Sequence, residues 1–455
     1  MAQMRTSHLA FLAAAARLLL RLPCSVLLAS SALAQTSPAD SAPSAGPWAL
    51  QWQATNVTQS HPRFRSPYSG TNSLAADGRT EETTDLTAYA GVRPWHGAEL
   101  WVNPELDQGF GLSNTVGVAG FPSGEAYKVG ADRPYFRLQR AFLRQTIALG
   151  GETVAVEPGA NQLAAAKPTQ GIVLTLGRFS VTDLFDTNTY AHDPRSDFLN
   201  WSIIDSGAFD YAADPWGYTY GGAAEISNLN WSLRSGIFEL SPVPNEKVTA
   251  VGFRQAMWVV EAERRTLWQN RPGKIKLLLF VNRANMARYA DAVQLAAEAG
   301  GVPDVSRVRR ETSRAGGAIN VEQELTGELG GFARVGLNDG SKETYEFTEI
   351  NRSMSAGLVL KGTRWGRADD SFGLGAAVNG LSREARDYFS AGGLGILIGD
   401  GRLNYGSEQI VEAVYSFRVG AHLTLSADYQ HIVNPAYNRD RGPVSVYSVR
   451  AHAEF

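Results

Sequence analysis

Tyr447-Ser-Val-Arg-Ala-His-Ala-Glu-Phe455 ends the chain with strict alternation. Tyr447, Val449, Ala451, Ala453 and Phe455 share one side of an extended segment, and Ser448, Arg450, His452 and Glu454 share the other. Successive side chains of a strand point to opposite faces, so this is a strand with one apolar and one polar face. The preceding segment repeats the pattern, with Leu423, Leu425, Ala427 and Tyr429 against Thr424, Ser426, Asp428 and Gln430. Before it, Val411, Ala413, Tyr415, Phe417 and Val419 alternate with Glu412, Ser416 and Arg418. Leu86/Ala88/Ala90/Val92, Leu229/Trp231/Leu233/Ile237 and Phe372/Leu374/Ala376/Val378 are further examples.

A soluble sandwich also alternates, so segment length and turn pattern must decide. Many segments run to about ten residues, enough for a tilted strand to cross a bilayer, whereas strands of globular proteins centre on about five or six. Sixteen candidates begin near Trp48, Thr84, Gly97, Tyr135, Gly171, Tyr218, Leu229, Gly252, Gly273, Gly316, Glu328, Ser353, Ser371, Glu408, His422 and Ser445. The connections alternate too. Arg93–Gly97, Ser227-Asn228, Thr326-Gly327 and Gly420-Ala421 are tight, while 59–83, 105–134, 181–217, 282–315 and 381–407 are long. Short periplasmic turns and long extracellular loops are the pattern of an outer-membrane barrel. The expected fold is all-β, a closed antiparallel transmembrane β-barrel of 16 strands. The long segment Gly150–Gln170 falls on the short-turn side and leaves 18 strands open. Met286–Ala299 and Arg383–Phe389 read as short helices on extracellular loops, as lids or as surface decoration.

Composition agrees. The 455 residues include 46 Gly, 10 Trp, 16 Tyr and 19 Phe, and charged residues are only 19%, which argues against a basic nucleic-acid-binding footprint. Mean hydropathy is −0.19, and beyond the first thirty-odd residues no apolar run approaches the ~18 of a membrane helix.

Residues 1–34 read as a signal peptide, with Arg5, Arg17 and Arg21 as its only charges and Ala32-Leu33-Ala34 as the cleavage site before Gln35. Residues 35–47, rich in Ser, Pro and Ala, read as a flexible leader, and 48–455 as the barrel. Cleavage removes the single cysteine, Cys24, and takes the formal charge from −3 to −6. The bacterial outer membrane is the expected location.

On the outward face, Tyr218, Tyr220, Trp231, Trp258, Tyr415, Tyr429 and Tyr447 are expected in aromatic girdles. Phe455 fits a terminal signal for the barrel assembly machinery. The inward face carries Glu99, Arg178, Glu225, Arg234, Glu261, Glu263, Glu322, Arg334, Glu412, Asp428 and Arg450. Charges on the lipid face would cost roughly 2–4 kcal/mol at mid-bilayer, so these are expected to pair or to face a wet lumen. About sixteen strands leave an aqueous channel.

The run Leu174-Thr-Leu-Gly-Arg-Phe-Ser-Val-Thr-Asp-Leu-Phe-Asp-Thr-Asn-Thr-Tyr-Ala-His-Asp-Pro-Arg195 resembles the carbohydrate-selective outer-membrane porins of the OprB type. So do Phe198-Leu-Asn-Trp201, Asp210-Tyr-Ala-Ala-Asp-Pro-Trp-Gly-Tyr-Thr-Tyr-Gly-Gly-Ala-Ala-Glu225, Leu425–Val444 and Arg450–Phe455. The resemblance implies sixteen strands, inward-folded loops and passive passage of sugars.

Sugars offer hydroxyls to planar donors and acceptors, and C–H faces to aromatic rings. Segment 181–217 holds Asp183, Asp186, Asn188, Asp193, Arg195, Asn200 and Trp201, and inside the lumen it would supply both. The fixed five-donor fork of arginine suits adjacent hydroxyls. Arg178, Arg234, Arg254 and Arg450 are therefore expected to bias a constriction towards neutral or anionic solutes, with Asp183, Asp186, Asn200, Trp201, Glu225 and Asp428 as further contacts. The alternative is that the arginines merely pair with Glu225 and Glu261.

Enzyme signals are thin. Gly373-Leu-Gly375 lacks the third glycine of a dinucleotide loop, and there is no G-x-S-x-G elbow. His192 and Asp193 beside Asp183 and Asp186 match no EF-hand spacing. No catalytic residue, metal or cofactor is expected. The expected partners are small sugars, outer-membrane lipid and the assembly machinery, with no nucleic acid, in a monomer or homotrimer. A barrel selective for acidic polysaccharide or other anions, an exported polysaccharide-acting enzyme using Asp183 and Asp186, and a plugged structural barrel or adhesin are the alternatives.

Overall fold

The computed structural model describes residues 46–126 and 130–455. The signal peptide and nearly all of the leader (1–45) lie outside the described residues. Sixteen strands follow one another round the barrel: β1 (Trp48–His61), β2 (Arg79–Val92), β3 (Ala98–Gly109), β4 (Ala131–Val156), β5 (Ala165–Phe179), β6 (Thr219–Ser227), β7 (Trp231–Glu239) and β8 (Ala256–Trp268); then β9 (Arg271–Met286), β10 (Arg310–Glu324), β11 (Leu329–Asn338), β12 (Arg352–Lys361), β13 (Ser371–Gly380), β14 (Glu408–Val419), β15 (Leu423–Val433) and β16 (Val444–Glu454). Each pairs antiparallel with its sequence neighbours, and β16 closes on β1 through Gln53↔Glu454 to Ser60↔Tyr447. Closure leaves no sheet edge, so the strand ladder satisfies the backbone groups that lipid cannot.

Alternation sorts the faces as expected. Leu176 is 67% exposed and Tyr447 50%, although Arg450 between the apolar positions of β16 is 1% exposed. Trp231, Trp258 and Tyr429 face outward as girdle residues. Tyr218 does not. It precedes β6, is buried, and lies near the Arg140 guanidinium, 4.9 Å from carbon to ring centre.

The segment 150–170 adds no strand pair, so the count is sixteen and not eighteen. β4 and β5 run on together past the other strands, pairing as far as Val156↔Ala165, with register shifts on both sides of Gly150. The expected long turn is thus an extended hairpin. The strand placed near Gly252 starts later, at Ala256.

The apolar clusters lie where strand residues meet the loops packed against them. Phe179 packs edge-on to Phe238 at 5.5 Å, and Phe238 meets Phe185 at 6.1 Å. The expected helices form at Tyr289–Ala299 and Arg383–Ser390. They pack together, with Tyr289 and Tyr388 ring centres 4.9 Å apart, and Ser382 caps the second by accepting from Ala385 N at 3.0 Å. No helix among the described residues is long and apolar enough to cross a membrane.

Candidate pore-lining site

The connection from β5 to β6, residues 180–218, is held by inward side chains from around the barrel. Glu412 of β14 accepts from Asn200 N at 3.0 Å, and Gln430 of β15 accepts from the Asn200 amide at 2.9 Å. Arg450 of β16 donates to the carbonyls of Pro194, Asp197 and Ser196 at 2.6, 2.9 and 3.0 Å. On β10, Asn320 and Glu322 bond Asn188 and Thr189 at 2.8 Å each. Ser353 of β12 accepts from Ala208 N at 3.1 Å. A segment tied to β10, β12, β14, β15 and β16 at once must cross the lumen.

Where it crosses, a cavity of about 170 Å³ opens. Its apolar wall is aromatic. Trp201 stacks on Phe121 (4.9 Å, 21°) and lies 5.8 Å from Tyr211 and 4.8 Å from Phe347. Its polar wall is ionic. Arg140 grips Asp183 with two bonds, of 2.7 and 2.6 Å, the fork geometry that fixes both side chains. Arg195 faces three buried carboxylates, Asp85 at 3.4 Å, Glu105 at 3.4 Å and Glu125 at 3.3 Å. The guanidinium is thus shared among three carboxylates, of which Glu125 also lines the cavity.

Of the residues singled out from sequence, Asp183, His192, Asp193, Arg195, Trp201 and Tyr218 line this cavity. Asn200 caps the one-turn helix Trp201–Ile204 and orients Trp201. Asp186 organises the crossing segment, accepting from Ser206 N at 2.5 Å and from Asn320 at 2.8 Å. Asp428 neighbours Glu412 in the wall and accepts from Ser448 at 3.3 Å.

The four arginines are not brought together. Arg234 is spent on Glu225, on Glu261 at 2.8 Å and on Glu263 at 3.0 Å. This is the pairing alternative, with one more acid. Arg450 is an anchor for the crossing segment. Arg178 shares its strand face with the exposed Leu174 and Leu176, and donates to Asp214 at 2.6 Å and to the Leu138 carbonyl at 3.0 Å. It braces the crossing segment against β4 and does not line the cavity. Arg254 is exposed on the loop between β7 and β8, away from any strand.

Sequence reasoning missed Arg140. The β3–β4 register slips between Asn103↔Arg140 and Pro104↔Leu138, leaving Gln139 unpaired. A bulge places two consecutive residues on one face. Gln139 accordingly bonds inward to Glu105 at 2.8 Å while Arg140 holds Asp183. Pro104 was the available signal, because proline inside a strand marks a bulge or an edge.

Comparison with known proteins fits this geometry. Porin AaxA of Chlamydia muridarum (strain MoPn / Nigg) is 22% identical over 330 residues, 68% of this chain and 61% of that porin, less than two thirds of its length. The high-pH structure of Pseudomonas putida OprB superimposes with a TM-score of 0.68 at 16% identity, covering 90% of this chain and 94% of that one. The outer membrane channel DcaP of Acinetobacter baumannii gives a TM-score of 0.49 at 10% identity, over 90% and 97% of the two chains. The structural likeness shows the fold, a closed outer-membrane barrel. The model of the carbohydrate-selective porin, OprB family matches residues 71–455, and the chain belongs to that family.

Proposed function

We propose that this barrel passes small carbohydrates by passive diffusion, through a constriction made where segment 180–218 crosses the lumen. The observation that carries the reading is the cavity in which Trp201 with its aromatic neighbours shares the lining with the Arg140–Asp183 pair and Arg195. A pyranose presents its C–H face to a ring and its hydroxyl edge to a guanidinium and a carboxylate. The arginines of this constriction are Arg140 and Arg195, with Asp183 and Trp201 as solute contacts. Binding there stays weak, because a tightly held solute blocks conduction.

Selectivity for acidic polysaccharide or other anions is the weaker reading. Arg140 is already paired with Asp183, and Arg195 with Asp85, Glu105 and Glu125. The exposed apolar band meets outer-membrane lipid, Phe455 serves recognition by the barrel assembly machinery, and the barrel works as a monomer or homotrimer.

Liposome swelling with glucose, sucrose and glucuronate tests the reading. Glucose is expected to enter fastest and glucuronate slower than its size alone predicts. Equal exclusion of all three overturns the channel reading, and preferred entry of glucuronate overturns the choice of neutral sugars.

A further inference from the structure

The β4–β5 hairpin does more than lengthen the barrel wall. Gly150 and Gly151 take positive φ, +134° and +82°, conformations that glycine adopts without strain, and register shifts flank Gly150. Bulges bend a strand pair, and three contacts show where this one goes. Arg144 donates to the Asn161 carbonyl at 2.8 Å and Arg93 to the Ala164 carbonyl at 2.9 Å. Leu163 is buried in the same cluster as Trp101 and Phe142. The tip is thus drawn back into the short-turn end of the barrel.

Beneath it lies a second cavity, of about 300 Å³, roofed by Pro158, Gly159 and Ala160. Gln51, Gln53, Tyr89, Arg418 and Glu454 line it, with Trp52, the Ala421-His422 turn and Phe455 at its rim. The Oε1 of Gln51 is buried and has no hydrogen-bond partner among the described residues. Gln53, with its amide oriented to suit its neighbours, meets the Tyr89 hydroxyl at 2.9 Å and Arg195 at 3.0 Å. Arg195 lines the first cavity. The Arg195–Gln53–Tyr89 layer therefore divides two polar chambers along one path.

We propose that the chamber under the β4–β5 tip is a second solute site, on the periplasmic side, which takes a neutral polyhydroxylated solute after it passes the Arg195–Gln53–Tyr89 layer. The amides, the phenol and the guanidinium supply donors and acceptors for hydroxyls, and the tip borders the chamber on one side. This site rests on the carbohydrate reading above. Two weak sites in series also suit conduction, since a solute can leave one as it enters the next.

The experiment is current block in planar bilayers, with glucose or maltotriose added to either side of wild type, Ala160→Trp and Gln51→Ala. Wild type is expected to show block from both sides. Ala160→Trp, on the exposed tip, fills the chamber, and Gln51→Ala removes an acceptor. Ala160→Trp should weaken periplasm-side block about tenfold, Gln51→Ala should weaken it less, and block from the extracellular side should be unchanged. Unaltered periplasm-side block in both variants overturns the second site alone. Absence of sugar block from either side of wild type overturns the carbohydrate reading and the second site with it.

Discussion

Replacing Arg195 by alanine is the sharpest perturbation of the constriction. The guanidinium lies 3.3–3.4 Å from Asp85, Glu105 and Glu125, and all four side chains are nearly inaccessible. At an effective dielectric constant of about 20, each such pair is worth about 4–5 kcal/mol of attraction, much of it offset by the cost of desolvating the charges. Removing the cation leaves three buried carboxylates facing one another. Loss of one partner from a buried pair costs about 3–5 kcal/mol, a large part of the stability of a typical domain. Arg195→Ala should therefore lower the urea midpoint of the detergent-folded barrel and shift bilayer reversal potentials towards cations. Arg195→Lys keeps the charge without the fork and should fall between. Adding Glu125→Gln to Arg195→Ala removes one acid and should restore part of both losses. An Arg195→Ala barrel with wild-type midpoint and wild-type ion selectivity would refute the reasoning, because it would mean that the three acids do not depend on this cation.

Trp201→Ala removes the ring stacked on Phe121; sugar block from the extracellular side should weaken about three- to tenfold, in line with about 0.5–1.5 kcal/mol for an aromatic contact, and unchanged block would remove Trp201 from the solute path. Arg450→Ala frees three carbonyls of the crossing segment, so single-channel conductance should become larger and noisier, and a quiet wild-type conductance would show that the other anchors suffice. In the turn between β12 and β13, the Arg367 fork holds the Asp370 carboxyl down to about 2, helped by bonds from the Tyr415 hydroxyl and Arg418 N. A lowered value means that its contribution is full above the ordinary 3.8 and is lost as pH falls through about 2. Hydrogen exchange at the Arg418 amide should therefore accelerate within that window in wild type but not in Asp370→Asn. Deleting Phe455, which is 64% exposed, should lower the amount of heat-modifiable barrel recovered from outer membranes, and an unchanged yield would separate this residue from assembly.

The strands were legible because lipid and water impose opposite demands on adjacent residues. All sixteen expected starts fall within six residues of the observed ones. The largest displacements, at β5 and β10, occur where the strands begin outside the alternating core of the segment. Tyr218 was misplaced because it lies one residue before β6, where strand parity no longer applies. The partner of Arg178 was not legible. Gly177, at φ +141°, precedes it at the strand end, and its partner Asp214 is remote in sequence. Asp183 and Trp201 could be picked out because a long polar segment with aromatics had to go somewhere, and the family resemblance placed it inward.

By itself the sequence determined the closed barrel, the faces of its strands and the long crossing segment. These follow from local alternation and turn length, which each stretch carries independently of the others. Only the tertiary structure decided which charges are spent on one another and which line a cavity. Arg234 and Arg195 are both inward arginines, and the difference between a cation enclosed by wall carboxylates and one bordering the solute path depends on strands meeting across the lumen. The bulge at Gln139 and the inward bend of the β4–β5 tip are settled the same way, by packing between residues far apart in the chain.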